Sequence, residues 1–400
     1  MNTQRTYLPL VEGTSAKRPR LRRSIQRNAA ARAEQRARIE EYLRDPFLKK
    51  LDDACKKVGF LQSISLDLTH VCQLRCDGCY FFDERLDSSR SPRDESIFDE
   101  FIAREKARGT NYITVLGGEP SLKLDRLKKL YDNFSILPVT NGLRKIPREG
   151  FEDMPIGVSV WGDHALDTEL RGGGKIDVFA RALGNYRDDP RAAFYYTATS
   201  GNARMIEPVV DEIVANGNLV YFSFYEDKAG RGGDLDSLRG YDEVLHEIYR
   251  MIDKYPSKVV STAYAARVAT TDKLFDLTWG YDVCPIISSN YEKNFARMRN
   301  GQPYSPHFRA YSPDLTTVRR CTVGEDSDCG NCHNAYARHT WILINRDLHL
   351  DTKQDFTNWL TALYMFYAGA GVINLQEGLA NLPEIHRRTR AARIPGEGVA

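Results

Sequence analysis

Residues 69–82 read "THVCQLRCDGCYFF", and they leave the apolar run "ISLDLT" (64–69), which reads as a β-strand. Cys72, Cys76 and Cys79 stand in the spacing C-x3-C-x2-C. Thiols set this close on one loop can wrap a single metal centre. A four-iron cluster ordinarily takes four thiolates, so three would leave one iron open to another ligand. A three-ligand zinc site, or buried cysteines on a surface turn, are the alternatives. Zinc knuckles more often come as paired C-x2-C units.

Outward from this loop the chain alternates. Apolar runs at 112–116, 135–142, 156–162, 192–199 and 218–225 read as further strands. Helical patterns occupy 95–109, 124–134, 176–187, 205–216 and 241–255. Strand followed by helix, repeated, predicts parallel strands with right-handed crossovers. Six such units instead of eight predict an α/β chain built on a partial (β/α)6 TIM-like barrel. Chemistry in such barrels sits at the C-terminal ends of the strands, where the cysteine loop falls. Beyond residue 275 the pattern turns irregular and cysteine-bearing. The expected domains are a basic helical segment (1–55), the barrel (56–275), a cysteine-bearing auxiliary domain (276–375) and a basic tail (376–400).

The 400 residues carry 56 Lys and Arg against 54 Asp and Glu, so the whole molecule is no polyanion binder. Nine of residues 16–38 are basic, which reads as a solvated, partly disordered helix. An RNA-touching arm is the other reading, but no aromatic is interleaved there to stack on bases. No apolar run is long enough to span a membrane, and the start lacks a secretory signal. Clustered cysteines without such a signal suggest metal ligation in a reducing, cytoplasmic setting.

A second motif follows the second strand. "YITVLGGEP" (112–120) puts Gly117, Gly118, Glu119 and Pro120 on the same barrel face as the cysteines. Paired glycines permit a close backbone approach, and Glu119 can accept hydrogen bonds from an ammonium. Together the two motifs resemble the radical S-adenosylmethionine (radical SAM) superfamily, over residues 60–225. The resemblance implies an enzyme whose 4Fe–4S cluster is held by Cys72, Cys76 and Cys79. Its open iron would bind the amino and carboxylate groups of S-adenosylmethionine. One electron, from a donor such as flavodoxin or ferredoxin, would cleave the sulfonium C–S bond. Methionine and a 5′-deoxyadenosyl radical result, and the radical abstracts hydrogen from substrate. By the same resemblance Glu119 holds the methionine ammonium and Tyr80 lies near the adenine. Gln73 stands where the family often has Asn, a departure that changes no ligand. "VTNG" (139–142) resembles a family turn, and "GVSVWGDHALDTELRGGG" (157–174) nominates Ser159 and Arg171. "TATSGN" (197–202) nominates Asn202. Structural roles compete at each: Ser159 as a core strand hydroxyl, Arg171 as a helix-cap partner.

Cys321, Cys329 and Cys332 lie in "CTVGEDSDCGNCHN", with Cys284 upstream in "YDVCPII". Four thiols suit zinc or an iron–sulfur cluster. The resemblance implies a second 4Fe–4S cluster on a twitch-like extension; the longer SPASM extension, with more cysteines and two clusters, does not match. His333 is a spare ligand, and Cys55 reads as a small buried apolar residue. Trp341, Trp359, Tyr364, Phe366 and Tyr367 follow, on a helical pattern expected to pack on the barrel.

The expected function is hydrogen abstraction from an organic small molecule in a biosynthetic pathway. No cobalamin-binding domain is evident. A peptide maturase is the alternative, though the helical, basic first 55 residues do not resemble a precursor-binding domain. A non-enzymatic zinc protein touching RNA is the third reading.

Overall fold

The computed structural model describes residues 29–225, 241–270, 284, 286–295, 305, 307–325 and 332–389. Cys329, the basic residues before 29 and the tail from 390 lie outside them. Helices α1 (Ala29–Tyr42) and α2 (Pro46–Val58) open the described chain. Asp45 caps α2, accepting from Phe47 N at 3.0 Å, with Pro46 in the first turn where its missing N–H costs nothing.

The sheet then begins. Strand β1 (Ser63–Asp67) leads through the short helix α3 (Tyr80–Asp83) and α4 (Glu95–Ala107) to β2 (Tyr112–Leu116). Helix α5 (Leu124–Tyr131) leads to β3 (Ser135–Thr140), and turns lead on to β4 (Ile156–Val160). Helices α6 (His164–Leu170) and α7 (Val178–Tyr186) precede β5 (Ala192–Ala198), and α8 (Ile206–Ala215) precedes β6 (Leu219–Phe224). Then come α9 (Tyr241–Lys254), α10 (Ala263–Thr270), β7 (Ala310–Tyr311), β8 (Val318–Arg319) and four more helices. These are α11 (Ala335–Ile344), α12 (Lys353–Gly369), α13 (Leu375–Ala380) and α14 (Leu382–Thr389).

The fold is α/β, with one mostly parallel eight-stranded sheet in the order β6-β5-β4-β3-β2-β1-β7-β8. It does not close. The six expected strands lie in sequential order and all pair in parallel. The β3–β4 crossover carries no helix. β7 extends the sheet in parallel beyond β1, and β8 returns antiparallel. Thus residues after 275 supply two strands to the same sheet as the barrel strands.

Each strand divides its residues between two faces. In β5, Phe194 and Tyr196 are fully buried beneath α7 and α8, while Ala193, Tyr195 and Thr197 face inward and stay partly exposed. Burying one such aromatic is worth about 1.5–3 kcal/mol, so the outer layer anchors the sheet. α12 packs on α2 through a second core that includes Leu48, Leu51, Trp341 and Leu360. Cys55 belongs to this core at 6% exposure, and burial pushes its thiol up to about 12. The inner face of the sheet, α11 and α12 enclose a cavity of about 260 Å³.

Candidate functional site

The cysteine loop leaves the C-terminal end of β1 and is pinned by backbone bonds to the Gly-Gly-Glu-Pro turn. Gly118 N donates to Thr69 O at 2.8 Å, and Glu119 N to Val71 O at 2.9 Å. The glycines follow from this contact. A Cβ on Gly118 would lie 2.3 Å from Val71 O. Gly117, at φ +108°, would put one 2.9 Å from Leu68 N. The close approach they permit is to the cysteine loop itself. Gly78, between Cys76 and Cys79, has φ +68° and sits against the Tyr225 ring at the end of β6.

Cys72, Cys76 and Cys79 are all partly exposed. Cys72 Sγ accepts from Leu74 N at 3.4 Å and from Asn141 Nδ2 at 3.8 Å. Burial raises the Cys72 thiol to about 11 and the Cys76 thiol to about 12, and each thiol feels Cys79 nearby. The Arg171 guanidinium hydrogen-bonds Cys76 and opposes its rise. Among the described residues, no three Cys, His, Asp or Glu side chains converge on one metal ion. A cubane asks for something else: each thiolate bonds a different iron. A partly exposed loop of three neighbouring thiols, with donors at the Cys72 and Cys76 sulfurs, fits that group.

Glu119 is 1% exposed, and its carboxylate is heavily used. It accepts from Ser121 N at 2.9 Å, Thr140 Oγ1 at 2.6 Å and Asn141 N at 2.8 Å. A carboxylate offers about four lone-pair positions, so most of its capacity goes to tying the β2 turn to the end of β3. Arg171, 2% exposed, pairs with buried Asp167 at 3.0 Å and donates to Ser159 O at 2.7 Å and Asn141 O at 3.1 Å. Asp167 accepts from Trp161 N at 2.9 Å, and Trp161 O accepts from Asn202 Nδ2, also at 2.9 Å. Asn202 spends its other groups on Thr197 O and Thr199 N, as a cap after β5.

Several of the nominated residues therefore form one continuous network. It runs from Asn202 through Trp161, Asp167 and Arg171 to Cys76, and through Asn141 to Cys72 and Glu119. Ser159 joins by its carbonyl, on the strand position beside Tyr195. Tyr80 stands on another branch. Its hydroxyl donates to Asp67 Oδ1 at 2.9 Å, and Asp67 pairs with Arg319 at 2.8 Å. Asn141, Asp167, Asp67 and Arg319 were not singled out in the sequence. Asn141, inside the "VTNG" turn, and Asp167, inside the 157–174 segment, carried a signal that could have found them.

Of the second cysteine group, Cys284 and Cys321 pack into one small cluster with Ile287 and Val323. Cys332 leads into α11, its carbonyl accepting from Arg338 Nε at 3.0 Å. His333 is 1% exposed and hydrogen-bonds Ala269 O at 3.0 Å. The Cys321 segment lies against the first loop. Arg319 reaches Asp67, and Glu325 N donates to Glu84 at 2.5 Å. The aromatic helix packs as expected, and its Phe366 lines the cavity.

No family model matches the chain, and no curated protein does. Solved structures are similar to it. Streptococcus suis SuiB bound to S-adenosylmethionine shares 16% identity at a TM-score of 0.39, covering 52% of each chain. anSMEcpe with bound AdoMet and the Cp18Cys peptide shares 15% at 0.44, covering 80% of this chain and 99% of that one. TYW1 with a lysine-pyruvate adduct shares 18% at 0.34, covering 48% and 72%. The chain spans about half the length of SuiB. At these identities and scores the likeness carries no inference about chemistry. Among the described residues no helix is long and apolar enough to cross a membrane.

Proposed function

We propose that the chain is a radical SAM enzyme that abstracts hydrogen from an organic small molecule. One observation carries this reading. The C-x3-C-x2-C loop and the Gly-Gly-Glu-Pro turn are bonded backbone to backbone at the C-terminal end of a parallel sheet. Cys72, Cys76 and Cys79 would hold a 4Fe–4S cluster. When bound, the cluster would supply one electron to S-adenosylmethionine at its open iron, starting the radical chemistry. The chain's own residues do the positioning. Asn141 and Arg171 place donors at the Cys72 and Cys76 sulfurs, which favours the thiolate over the buried thiol. Asp167 fixes Arg171 there and compensates its charge. Glu119 holds the β2 and β3 loops in register, with its remaining lone-pair position toward an ammonium. Ser159 and Tyr80 flank the same end of the sheet.

Cys284, Cys321, Cys329 and Cys332 would hold a second 4Fe–4S cluster, with an electron-accepting or closing role. The packing of the Cys321 segment beside Asp67 and Glu84 supports this, because it sets the two groups on one side of the molecule. A cavity of about 260 Å³ on the inner sheet face is of a size for a small molecule. The test is anaerobic reconstitution with iron and sulfide, then reduction with S-adenosylmethionine. A brown protein releasing 5′-deoxyadenosine and methionine is expected. A colourless protein holding zinc and releasing neither contradicts the reading.

A further inference from the structure

The cavity runs along the inner face of the sheet from β2 to β6. Its lining includes Leu116, the neighbour of Gly117, and Thr322, the neighbour of Cys321. At about 260 Å³ it far exceeds the roughly 10–15 Å³ that one buried water needs in the same measure.

Most of the polar side chains on its described lining are hydroxyls, with Asn334, His339 and Arg191 besides. Tyr195 and Tyr221 lie deep in the molecule on the inner face of β5 and β6, their rings 4.7 Å apart. Both stay partly exposed because they face the cavity. Among the described residues neither hydroxyl has a hydrogen-bond partner, nor does the buried Thr322 Oγ1. The two phenol oxygens open onto the cavity, so a ligand lodged there can take both hydrogen bonds. Gly157 makes the room: a Cβ there would lie 3.1 Å from the Tyr195 ring. His339 donates Nε2–H to Ala362 O at 2.7 Å, which leaves Nδ1 as an acceptor.

Charge is absent from the described lining in any usable form. Arg191 is the one cation there, and Asp189 holds it at 2.6 and 2.9 Å with three backbone carbonyls around it. Burial lowers His339, keeping the imidazole neutral, and raises Tyr221 to about 12, keeping the phenol a donor. Phe224, Met365 and Phe366 are among the apolar lining, beside the uncharged polar Thr114, Ser223, Ser261, Thr262 and Asn334.

We propose that this chamber binds an uncharged, ring-bearing organic molecule whose carbonyl or hydroxyl oxygens accept from Tyr195 and Tyr221. That this molecule is the substrate rests on the proposed S-adenosylmethionine chemistry; the binding preference does not. An acid or an amine would leave water for a lining that, among the described residues, offers no free counter-charge, so it should bind more weakly.

The test compares two probes of one shape, 4-hydroxyphenylacetamide (neutral) and 4-hydroxyphenylacetate (anionic), by saturation-transfer NMR and equilibrium dialysis on the reconstituted full chain. The amide is expected to bind at least tenfold more tightly. Ala193→Phe fills the chamber from β5 and should abolish amide binding while 5′-deoxyadenosine release without substrate continues. Tyr221→Phe removes one hydroxyl and should weaken the amide about 2- to 12-fold, the span of one neutral hydrogen bond. Should Ala193→Phe fail to fold, Tyr221→Phe decides alone. No amide binding at millimolar concentration, equal binding of both probes, or unchanged amide affinity in a folded variant each overturns the proposal. Amide binding without any cleavage of S-adenosylmethionine would overturn the proposed reaction and leave the chamber standing.

Discussion

Replacing Glu119 with Ala should unfold the protein more readily, whatever it does to S-adenosylmethionine. The carboxylate is buried and receives Ser121 N, Asn141 N and the Thr140 hydroxyl. Thr140 can turn its hydroxyl elsewhere, so the loss falls on two backbone N–H groups. Each buried donor left unsatisfied costs about 1–3 kcal/mol, or about 2–6 kcal/mol for the pair. Removing a buried carboxylate returns part of its own desolvation, which keeps the net to about 2–4 kcal/mol. Glu119→Gln keeps the shape but sets an amide N–H against Asn141 N–H, so it should cost about 1–2 kcal/mol, between Ala and wild type. Urea unfolding of the metal-free protein under reducing conditions measures both, free of any cofactor. A Glu119→Ala protein within about 0.5 kcal/mol of wild type would refute the structural role of this side chain.

Gly118→Ala sets a methyl against Val71 O, a backbone atom that cannot step aside; it should cost about 1–3 kcal/mol and lower iron loading, measured by unfolding and iron assay. Asp45 ties α2 to the C-terminal helices through Arg388 at 2.7 Å and Lys353 at 3.0 Å. Burial opposes its ionisation, but the two cations outweigh it and hold the carboxyl well below its ordinary value. Its contribution is therefore complete above about pH 4 and lost as pH falls toward the folded-state value. Asp45→Asn should lower the thermal midpoint at pH 7, with wild type and variant converging in acid; a constant gap down to the lowest pH would contradict the pairing. Changing Cys321, Cys329 and Cys332 together to Ala should remove about four irons and spare some cleavage of S-adenosylmethionine, while conversion of substrate stops. Unchanged iron would make that site structural.

The strands that frame the site were legible because buried parallel strands are near-continuous apolar runs, and β2 falls on residues 112–116 as its pattern predicts. β7 and β8 were not, since two residues such as Ala310–Tyr311 carry no period and owe their existence to pairing with β1. The cysteine loop and the glycine turn were visible as motifs. Their mutual bonding was not, because Gly118 and Thr69 meet only after the sheet forms. Likewise the role of Glu119 depends on Thr140 and Asn141, which the fold brings to it across one strand. The alternation in "AAFYYTA" separates Tyr195 from Tyr196. Nothing local says that the inner side is hollow; that follows from Gly157 and from Gly369 at the end of α12 on the far wall.

The central claim is that Cys72, Cys76 and Cys79 hold a cluster that cleaves S-adenosylmethionine. The most direct measurement is 5′-deoxyadenosine released by the reduced, reconstituted protein, wild type beside Cys76→Ala, with iron counted in both. Wild type should release it. Cys76→Ala should not, and should keep only the iron of the second group. Undiminished 5′-deoxyadenosine from the Cys76→Ala protein would contradict the assignment.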